Sequence, residues 1–142
     1  MATRHILTSA GLILAFALGA LAREHAAPPA QDSVKIKFEH AITNIPEKKL
    51  IAVEVDYPPG AKSVSHHHAS SAFIYIYVLK GAVRSQVDDQ PVKIYKQGES
   101  WYAAPGAHHK ISENYSSTEP AKLLAVFVVD RASKQLTIPD HK

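Results

Sequence analysis

The sequence predicts an all-β protein built as a small sandwich or barrel. Three observations carry this prediction. Several segments alternate apolar and polar residues with a period of two, most of them end at Gly, Asn or Asp, and none after residue 33 shows the period of an amphipathic helix. About eight short strands at this spacing are typical of a compact β-sandwich or β-barrel of a single domain.

The first strands are the clearest. Residues 34–40, VKIKFEH, alternate apolar residues with charged ones, as a half-buried strand does. Residues 50–60, LIAVEVDYPPG, form a second strand that ends in a Pro-Pro-Gly turn. Residues 72–81, AFIYIYVLKG, are apolar on both faces, which predicts a strand buried between two layers. The remaining strands are predicted in AVRSQVDDQ, PVKIYKQG, ESWYAAPG, HHKISEN and KLLAVFVVD.

Residues 1–22 have the features of a secretory signal peptide. Arg4 precedes an apolar run, and the small residues Ala20 and Ala22 stand at the spacing of a cleavage site. The run is short for a membrane span. We therefore expect cleavage after Ala22, a periplasmic or secreted location, and no membrane attachment after cleavage. The predicted organisation then continues with a flexible leader, one β-domain and a C-terminal tail, at residues 23–33, 34–130 and 131–142.

Composition narrows the classes of partner and cofactor. The chain has 142 residues, and its 16 Lys and Arg stand against 13 Asp and Glu, for a formal net charge of +3. Because the basic residues are scattered, the sequence does not favour nucleic-acid binding. There is no Cys, and the single Met is the initiator. Any bound metal must therefore be held by nitrogen and oxygen atoms.

Five of the nine histidines fall in two clusters, His66-His67-His68 and His108-His109. In a strand, side chains at i and i+2 share a face, so that His66 and His68 can point together while His67 points away. Taken alone, this first cluster is equally compatible with a solvated His-rich loop. The second pair follows a Pro-Gly turn, and it favours a metal site of three imidazoles that leaves coordination positions for water or substrate.

With these motifs, the region from residue 34 to residue 130 resembles a single-domain cupin, whose fold is a double-stranded β-helix, or jelly-roll barrel. The first cupin motif has a Gly, five residues, His-x-His and a strand that ends at Gly. The second has a Gly, a Pro-x-Gly turn, two residues and a His. Pro105 and Asn114 each stand one place later than the Pro and Asn of the family. The matching residues are Gly60, His66, His68, Gly81, Gly98, Gly106 and His109.

One ligand of the first cupin motif is missing. The motif's Glu aligns with Ile74, whose neighbours are also apolar and cannot bind a metal through their side chains. The resemblance therefore implies a set of three histidines, His66, His68 and His109, similar to the carboxylate-free cupins that hold ferrous iron, such as cysteine dioxygenase. Three neutral imidazoles leave the +2 charge of a divalent ion intact, which favours an anionic, chelating substrate.

Two alternatives for the ligands stay open. His108 competes with His109 as the third ligand, although the family's spacing from Gly106 favours His109. If the strand alternates regularly, Glu113 shares the face of His109 and is a candidate replacement carboxylate; otherwise Glu113 is a solvated strand end. We expect the two remaining histidines, His67 and His108, to lie beside the ligands or at the surface.

The resemblance also predicts the lining of the pocket. It places Ile74, Ile76 and Val78 inward, which implies a mostly apolar interior with the metal as its chief polar feature. Trp101 and Tyr102 precede the Pro-Gly turn. Either one of them reaches the cavity, or both belong to ordinary core packing.

These inferences favour an exported, metal-dependent enzyme with dioxygenase-like chemistry on a small chelating organic substrate. Fe(II) is the favoured ion, and Mn, Ni, Cu(II) and Zn are also compatible with imidazole ligands. The alternatives are a non-catalytic module that binds a metal or small ligand, and a metal-free cupin that binds a small ligand. Tyr75 and Tyr77 are expected to face a second sheet or a subunit, and this aromatic surface favours a homodimer.

Overall fold

The computed structural model describes residues 30–141. The predicted signal peptide, and the predicted leader as far as residue 29, lie outside the described residues. Within residues 30–141 the chain forms strands, turns and loops and no helix, so the prediction of an all-β fold is confirmed. This part of the chain therefore offers no helical segment of the length and hydrophobicity that crossing a membrane requires.

The described chain contains ten strands, numbered in chain order. The two longest strands have ten residues each and bury every second side chain along most of their length, as strands do when one face packs on a core. The strands are β1 (Ser33–Ala41), β2 (Lys48–Tyr57), β3 (His66–His68), β4 (Phe73–Lys80), β5 (Ala82–Val87), β6 (Lys93–Lys96), β7 (Ser100–Ala103), β8 (His108–Asn114), β9 (Ala121–Asp130) and β10 (Thr137–Pro139).

Two antiparallel five-stranded sheets pack face to face and enclose the core. The strand order is β1-β2-β9-β4-β7 in the first sheet and β10-β3-β8-β5-β6 in the second. This is the jelly-roll arrangement that the sequence predicts. The apolar residues between the sheets come from the inward faces of the long strands, and the largest fully buried side chains are Ile74, Val78, Val83 and Val129.

Strand β4 differs from its prediction. Ile74, Ile76 and Val78 face the core and are at most 4% exposed, as expected. The opposite face was predicted to be buried as well, and this prediction is wrong for the single chain: Phe73 is 45% exposed and Tyr75 is 43% exposed. The reason is architectural, because each sheet of a two-layer sandwich is covered by the other sheet on one face only.

The second sheet extends beyond the predicted domain boundary at residue 130. Residues Thr137–Pro139 of the predicted tail form β10, which pairs with β3 opposite His66–His68. The strand has three residues and ends in Pro139 at a sheet edge, where a residue without an N–H is tolerated. So short a strand carries no alternation that a sequence pattern could reveal.

Gly81, which directly follows β4, has close backbone neighbours that Gly60 lacks. Both glycines have φ of +69°, but a Cβ on Gly81 would lie 2.8 Å from the carbonyl oxygen of Pro120, whereas a Cβ on Gly60 would meet nothing within 4 Å. We expect Gly60→Ala to lower the free energy of unfolding by about 1–2 kcal/mol through backbone strain alone. Gly81→Ala should cost at least about 1 kcal/mol more, because the backbone around Pro120 must shift.

Urea denaturation of the two variants and the wild type measures this difference. Equal destabilisation by the two substitutions would contradict the steric argument.

Candidate metal centre

Pairing between β3 and β8 sorts the clustered histidines onto two faces of one sheet. His66 lies opposite His109, and His67 lies opposite His108. Residues that lie directly opposite each other in an antiparallel pair share a face, and successive residues alternate. His66, His68 and His109 therefore face the interior, while His67 and His108 face outward.

The three inner histidines converge on one point. One ring nitrogen from each of His66, His68 and His109 lies within 4.8 Å of those of the other two. The ring centroids are separated by 4.9 Å, 5.4 Å and 5.6 Å. His68 and His109 are each only 6% exposed. The structure thus brings His109 to the first cluster, and it places the rival, His108, on the other side of the sheet.

The hydrogen bonds around these rings fit a metal site. His66 Nδ1 donates to the Val64 carbonyl oxygen at 2.6 Å, so that in the neutral ring Nε2 is the nitrogen with the lone pair. His109 Nε2 lies 2.9 Å from Ser85 Oγ. Both ring nitrogens of His68 are buried and have no hydrogen-bond partner among the described residues.

An unpartnered buried imidazole is costly, because it has lost its hydrogen bonds to water and gained none in return. A ligand at the point where the three rings converge would satisfy His68. The donor set, three imidazoles without a thiolate, suits a divalent transition metal.

Burial keeps two of the inner imidazoles neutral. Desolvation, reinforced by the neighbouring His66, lowers the pKa of His68 from 6.5 to about 4. The same causes lower the pKa of His109 to about 3. At neutral pH these rings are therefore unprotonated and can donate a nitrogen lone pair to a metal.

A cavity of about 280 Å³ opens beside the inner histidines. Ile74 and Ile76, which the resemblance predicts to face inward, both line this cavity. Its walls come from both sheets and from the segment around β10, so that the site lies between the layers. Further apolar lining comes from Val53, Val55, Leu123, Phe127, Leu136 and Pro139.

A chain of hydroxyl groups crosses the polar part of the cavity wall. The Tyr57 hydroxyl lies 2.8 Å from Ser112 Oγ and 2.8 Å from Ser63 Oγ, and Ser63 donates to Asp32 at 2.6 Å. Burial raises the pKa of Tyr57 to about 12, so its hydroxyl stays protonated. Sequence reasoning missed this group, although the alternation of Val53, Val55 and Tyr57 along β2 places Tyr57 inward.

Of the two alternatives for Glu113, replacement of the missing carboxylate does not agree with the structure. In the ladder between β5 and β8, Gln86 pairs with Ile111 and Val87 pairs with His109, which leaves Lys110 as an extra residue in a bulge. The bulge reverses the alternation beyond it. Glu113 therefore faces outward, where its carboxylate accepts a hydrogen bond of 2.6 Å from Arg84.

Of the two alternatives for Trp101 and Tyr102, entry into the histidine cavity does not agree with the structure either. Trp101 stacks on Tyr95 with 4.1 Å between the ring centroids and packs against the edge of the core. Tyr102 is 65% exposed and stacks on Phe73 at the outer face of the first sheet. Neither residue lines the cavity beside the histidines. Core packing, the other alternative, describes the position of Trp101 but is wrong for the exposed Tyr102.

Comparison with known proteins agrees with this architecture. The cupin domain family model matches residues 53–127, which is more than half of the chain. The chain belongs to the cupin family. A search of curated proteins found no significant sequence match.

Solved cupin-like structures share the fold at low sequence identity. A conserved protein with a double-stranded β-helix domain from Klebsiella pneumoniae is 17% identical, with 82% of this chain and 90% of that chain covered and a TM-score of 0.61. Oxalate decarboxylase from Bacillus subtilis is 21% identical, with 81% and 33% covered and a TM-score of 0.56. A DMSP lyase from Ruegeria pomeroyi is 19% identical, with 66% and 45% covered and a TM-score of 0.52.

The buried histidines predict how the stability of the metal-free cupin depends on pH. In the unfolded chain His68 and His109 take up protons near pH 6.5, whereas in the folded chain they do so only near pH 4 and pH 3. Between these limits the unfolded state binds more protons, so the free energy of unfolding falls as the pH falls. Each tenfold difference in proton affinity corresponds to about 1.4 kcal/mol.

Urea denaturation between pH 6.5 and pH 4.5, in the presence of a chelator, measures this loss. We expect it to be clearly smaller in His68→Gln/His109→Gln. His40→Gln, which changes an exposed histidine outside both clusters, is the control. The same pH dependence in all three proteins would show that burial of these imidazoles does not control acid stability.

Proposed function

We propose that this cupin is a metal-dependent enzyme with dioxygenase-like activity on a small, anionic, chelating organic molecule. One divalent transition metal would be held by His66, His68 and His109, with Fe(II) as the favoured ion and Mn, Ni, Cu(II) or Zn as ions that imidazole also binds. The observation that carries the proposal is the pair of buried, unpartnered nitrogens of His68 at the convergence of the three rings.

The charge of the site selects the class of substrate. The inner donor set has no carboxylate, so neutral imidazoles would leave the full +2 charge of a bound ion uncompensated. An enolate, carboxylate or thiolate substrate would supply the missing negative charge. The oxalate decarboxylase of similar fold is named for a substrate of this kind, a small chelating dianion.

The cavity supplies the other requirements of such chemistry. Its mostly apolar walls lower the local dielectric constant, which would strengthen the attraction between a bound cation and an anionic ligand. Tyr57, which stays protonated, is one of the cavity hydroxyl groups that can donate a hydrogen bond to an oxygen of the substrate. A bound ion would supply dioxygen activation. Because both oxygen atoms would enter the organic product, the proposed reaction needs no external reductant.

Metal analysis and oxygen uptake test the proposal together. The protein is produced from the full-length chain without a His tag and isolated from the exported compartment, where we expect its first residue to be Arg23. After anaerobic loading with Fe(II), His68→Gln should hold about one equivalent less than the wild type, because it removes a buried ligand. His40→Gln, which changes an exposed histidine, should match the wild type.

Oxygen consumption is then followed with small carboxylates, 1,3-diketones and thiols. Uptake by the wild type and by His40→Gln that is lost in His68→Gln supports the enzyme. An inner site that binds Fe(II), Mn, Ni, Cu(II) or Zn without any turnover would favour the runner-up, a module that sequesters a metal or small ligand. Equal metal content in wild type and His68→Gln would overturn the three-histidine site itself.

We also propose that the chain forms a homodimer through β1. This strand lies at the edge of its sheet, and Val34 and Ile36, which pair with the buried Val55 and Val53, are 61% and 60% exposed. Apolar residues on the inward side of an edge strand are incompletely covered within one chain. A second copy would cover them and narrow the cavity that Val34 lines.

Light scattering after size exclusion measures the mass of each variant. We expect twice the chain mass for the wild type and a single-chain mass for Val34→Lys/Ile36→Lys, with circular dichroism showing that the fold is kept. Val92→Lys, at an exposed apolar residue outside β1, should stay dimeric. A wild type of single-chain mass would contradict the dimer.

A further inference from the structure

The outward-facing histidines form a second cluster that the inner site does not use. His67 and His108 lie opposite each other on β3 and β8, and their rings stack with 4.1 Å between centroids and 11° between planes. Asp140, directly after β10, lies against both rings. One ligand atom from each of these three residues lies within 4.8 Å of those of the other two.

The contacts within this cluster are specific. Asp140 Oδ1 lies 3.2 Å from His67 Nδ1, and Asp140 Oδ2 lies 2.7 Å from His108 Nε2. Ser65 Oγ donates to Asp140 Oδ2 at 2.6 Å. This hydrogen bond, together with those from His108 and His67, lowers the pKa of Asp140 to about 2. The carboxylate is therefore ionised over the physiological range of pH.

We propose that His67, His108 and Asp140 form a second site for a divalent transition-metal ion on the outer face of the sheet. Two imidazoles and one carboxylate suit borderline ions such as Zn²⁺, whereas Ca²⁺ and Mg²⁺ prefer all-oxygen sites. The His67 side chain is half exposed, so an ion can reach the site from solvent. Unlike the inner set, this one contains its own negative charge.

A nucleophilic triad is a poorer explanation of the same residues. Ser65 Oγ lies 3.1 Å from His108 Nε2, but Asp140 contacts that same nitrogen. In a serine triad the carboxylate holds Nδ1 and the serine bonds Nε2, so that the imidazole can move a proton between opposite sides of the ring. Here both partners compete for one atom, and the serine instead holds the carboxylate in place.

An ion at the outer site would stabilise the cavity wall that the segment around β10 forms. β10 is held to β3 along three residues, and the segment also bonds through Asp140 N to the Ser65 carbonyl at 3.0 Å. Leu136, Thr137 and Pro139 of this segment line the cavity beside the inner histidines. By joining Asp140 to β3 and β8, the ion would hold the C-terminal strand against the barrel.

Calorimetric titration with Zn²⁺ tests the outer site in the metal-free, full-length protein. We expect about two equivalents in the wild type and in His40→Gln, and about one in His67→Gln/His108→Gln and in Asp140→Asn, since a ligand is removed. Ser65→Ala, which frees the carboxylate, should keep the second equivalent but weaken it by about 10–100-fold. Two full-affinity equivalents in Asp140→Asn would overturn the proposal.

The titration distinguishes loss of the inner site from loss of the outer site. His68→Gln/His109→Gln removes inner ligands and should still bind one Zn²⁺ through the outer set, so loss of the inner site leaves this proposal standing. The outer-face substitutions remove no buried residue, which protects the test if the inner-site variant does not fold.

Amide hydrogen exchange gives a second readout in the wild type. Zn²⁺ should slow exchange at the backbone amides of residues 136–138 and of residue 140, and Asp140→Asn should abolish the slowing that depends on the outer site. Two results together would refute the site: Zn²⁺ binding without a second equivalent, and equal protection of these amides in the wild type and in Asp140→Asn. The outer residues would then form only an ion-pair network.

Discussion

The register between β3 and β8 is the constraint on which both histidine clusters depend. A shift of one residue would turn His108 inward and His109 outward, because side chains alternate with a period of two. The far end of β8 is anchored by Asn114 to the end of β2, from which the chain runs on to β3. Its amide donates to the carbonyl oxygens of Tyr57, Pro58 and Glu119 at 3.2, 3.0 and 2.8 Å, and its Oδ1 accepts from the Ser116 amide. Displacing a buried side chain with four such bonds would cost free energy, because its polar atoms would lose their partners.

The bulge at Lys110 allows both Asn114 and His109 to face inward. Both His109 and Asn114 face inward, yet they are five residues apart, an odd spacing that a regular strand would place on opposite faces. The extra residue restores the parity. The sequence carried the signal, since Asn114 stands one place later than the Asn of the cupin motif. Reading that offset as a bulge would have turned Glu113 outward and Ser112 inward.

Much of the fold and of the inner cluster followed from local patterns, because alternation and the His-x-His spacing act within one strand. The parts that escaped prediction depend on contacts far apart in the chain. Asp140 meets His67 across 73 residues through a three-residue strand with no periodic signal. Likewise, Tyr57 and Ser112 meet across the sandwich, 55 residues apart. Apolar composition alone could not tell that one face of β4 is left uncovered by the second sheet.

The two faces of the sheet differ in whether the histidine cluster includes a carboxylate. On the inner face, burial keeps His68 and His109 unprotonated at neutral pH, and none of the three converging side chains is an anion. The positive charge of an ion bound there would therefore be available to an exogenous ligand. On the outer face, Asp140 already supplies an anion, and Ser65 fixes its orientation. A cation there is partly neutralised by the protein and has less need of an anionic substrate. The same sheet therefore separates a face suited to chemistry from a face suited to holding β10 in place, and the alternation of neighbouring histidines is what makes that separation possible.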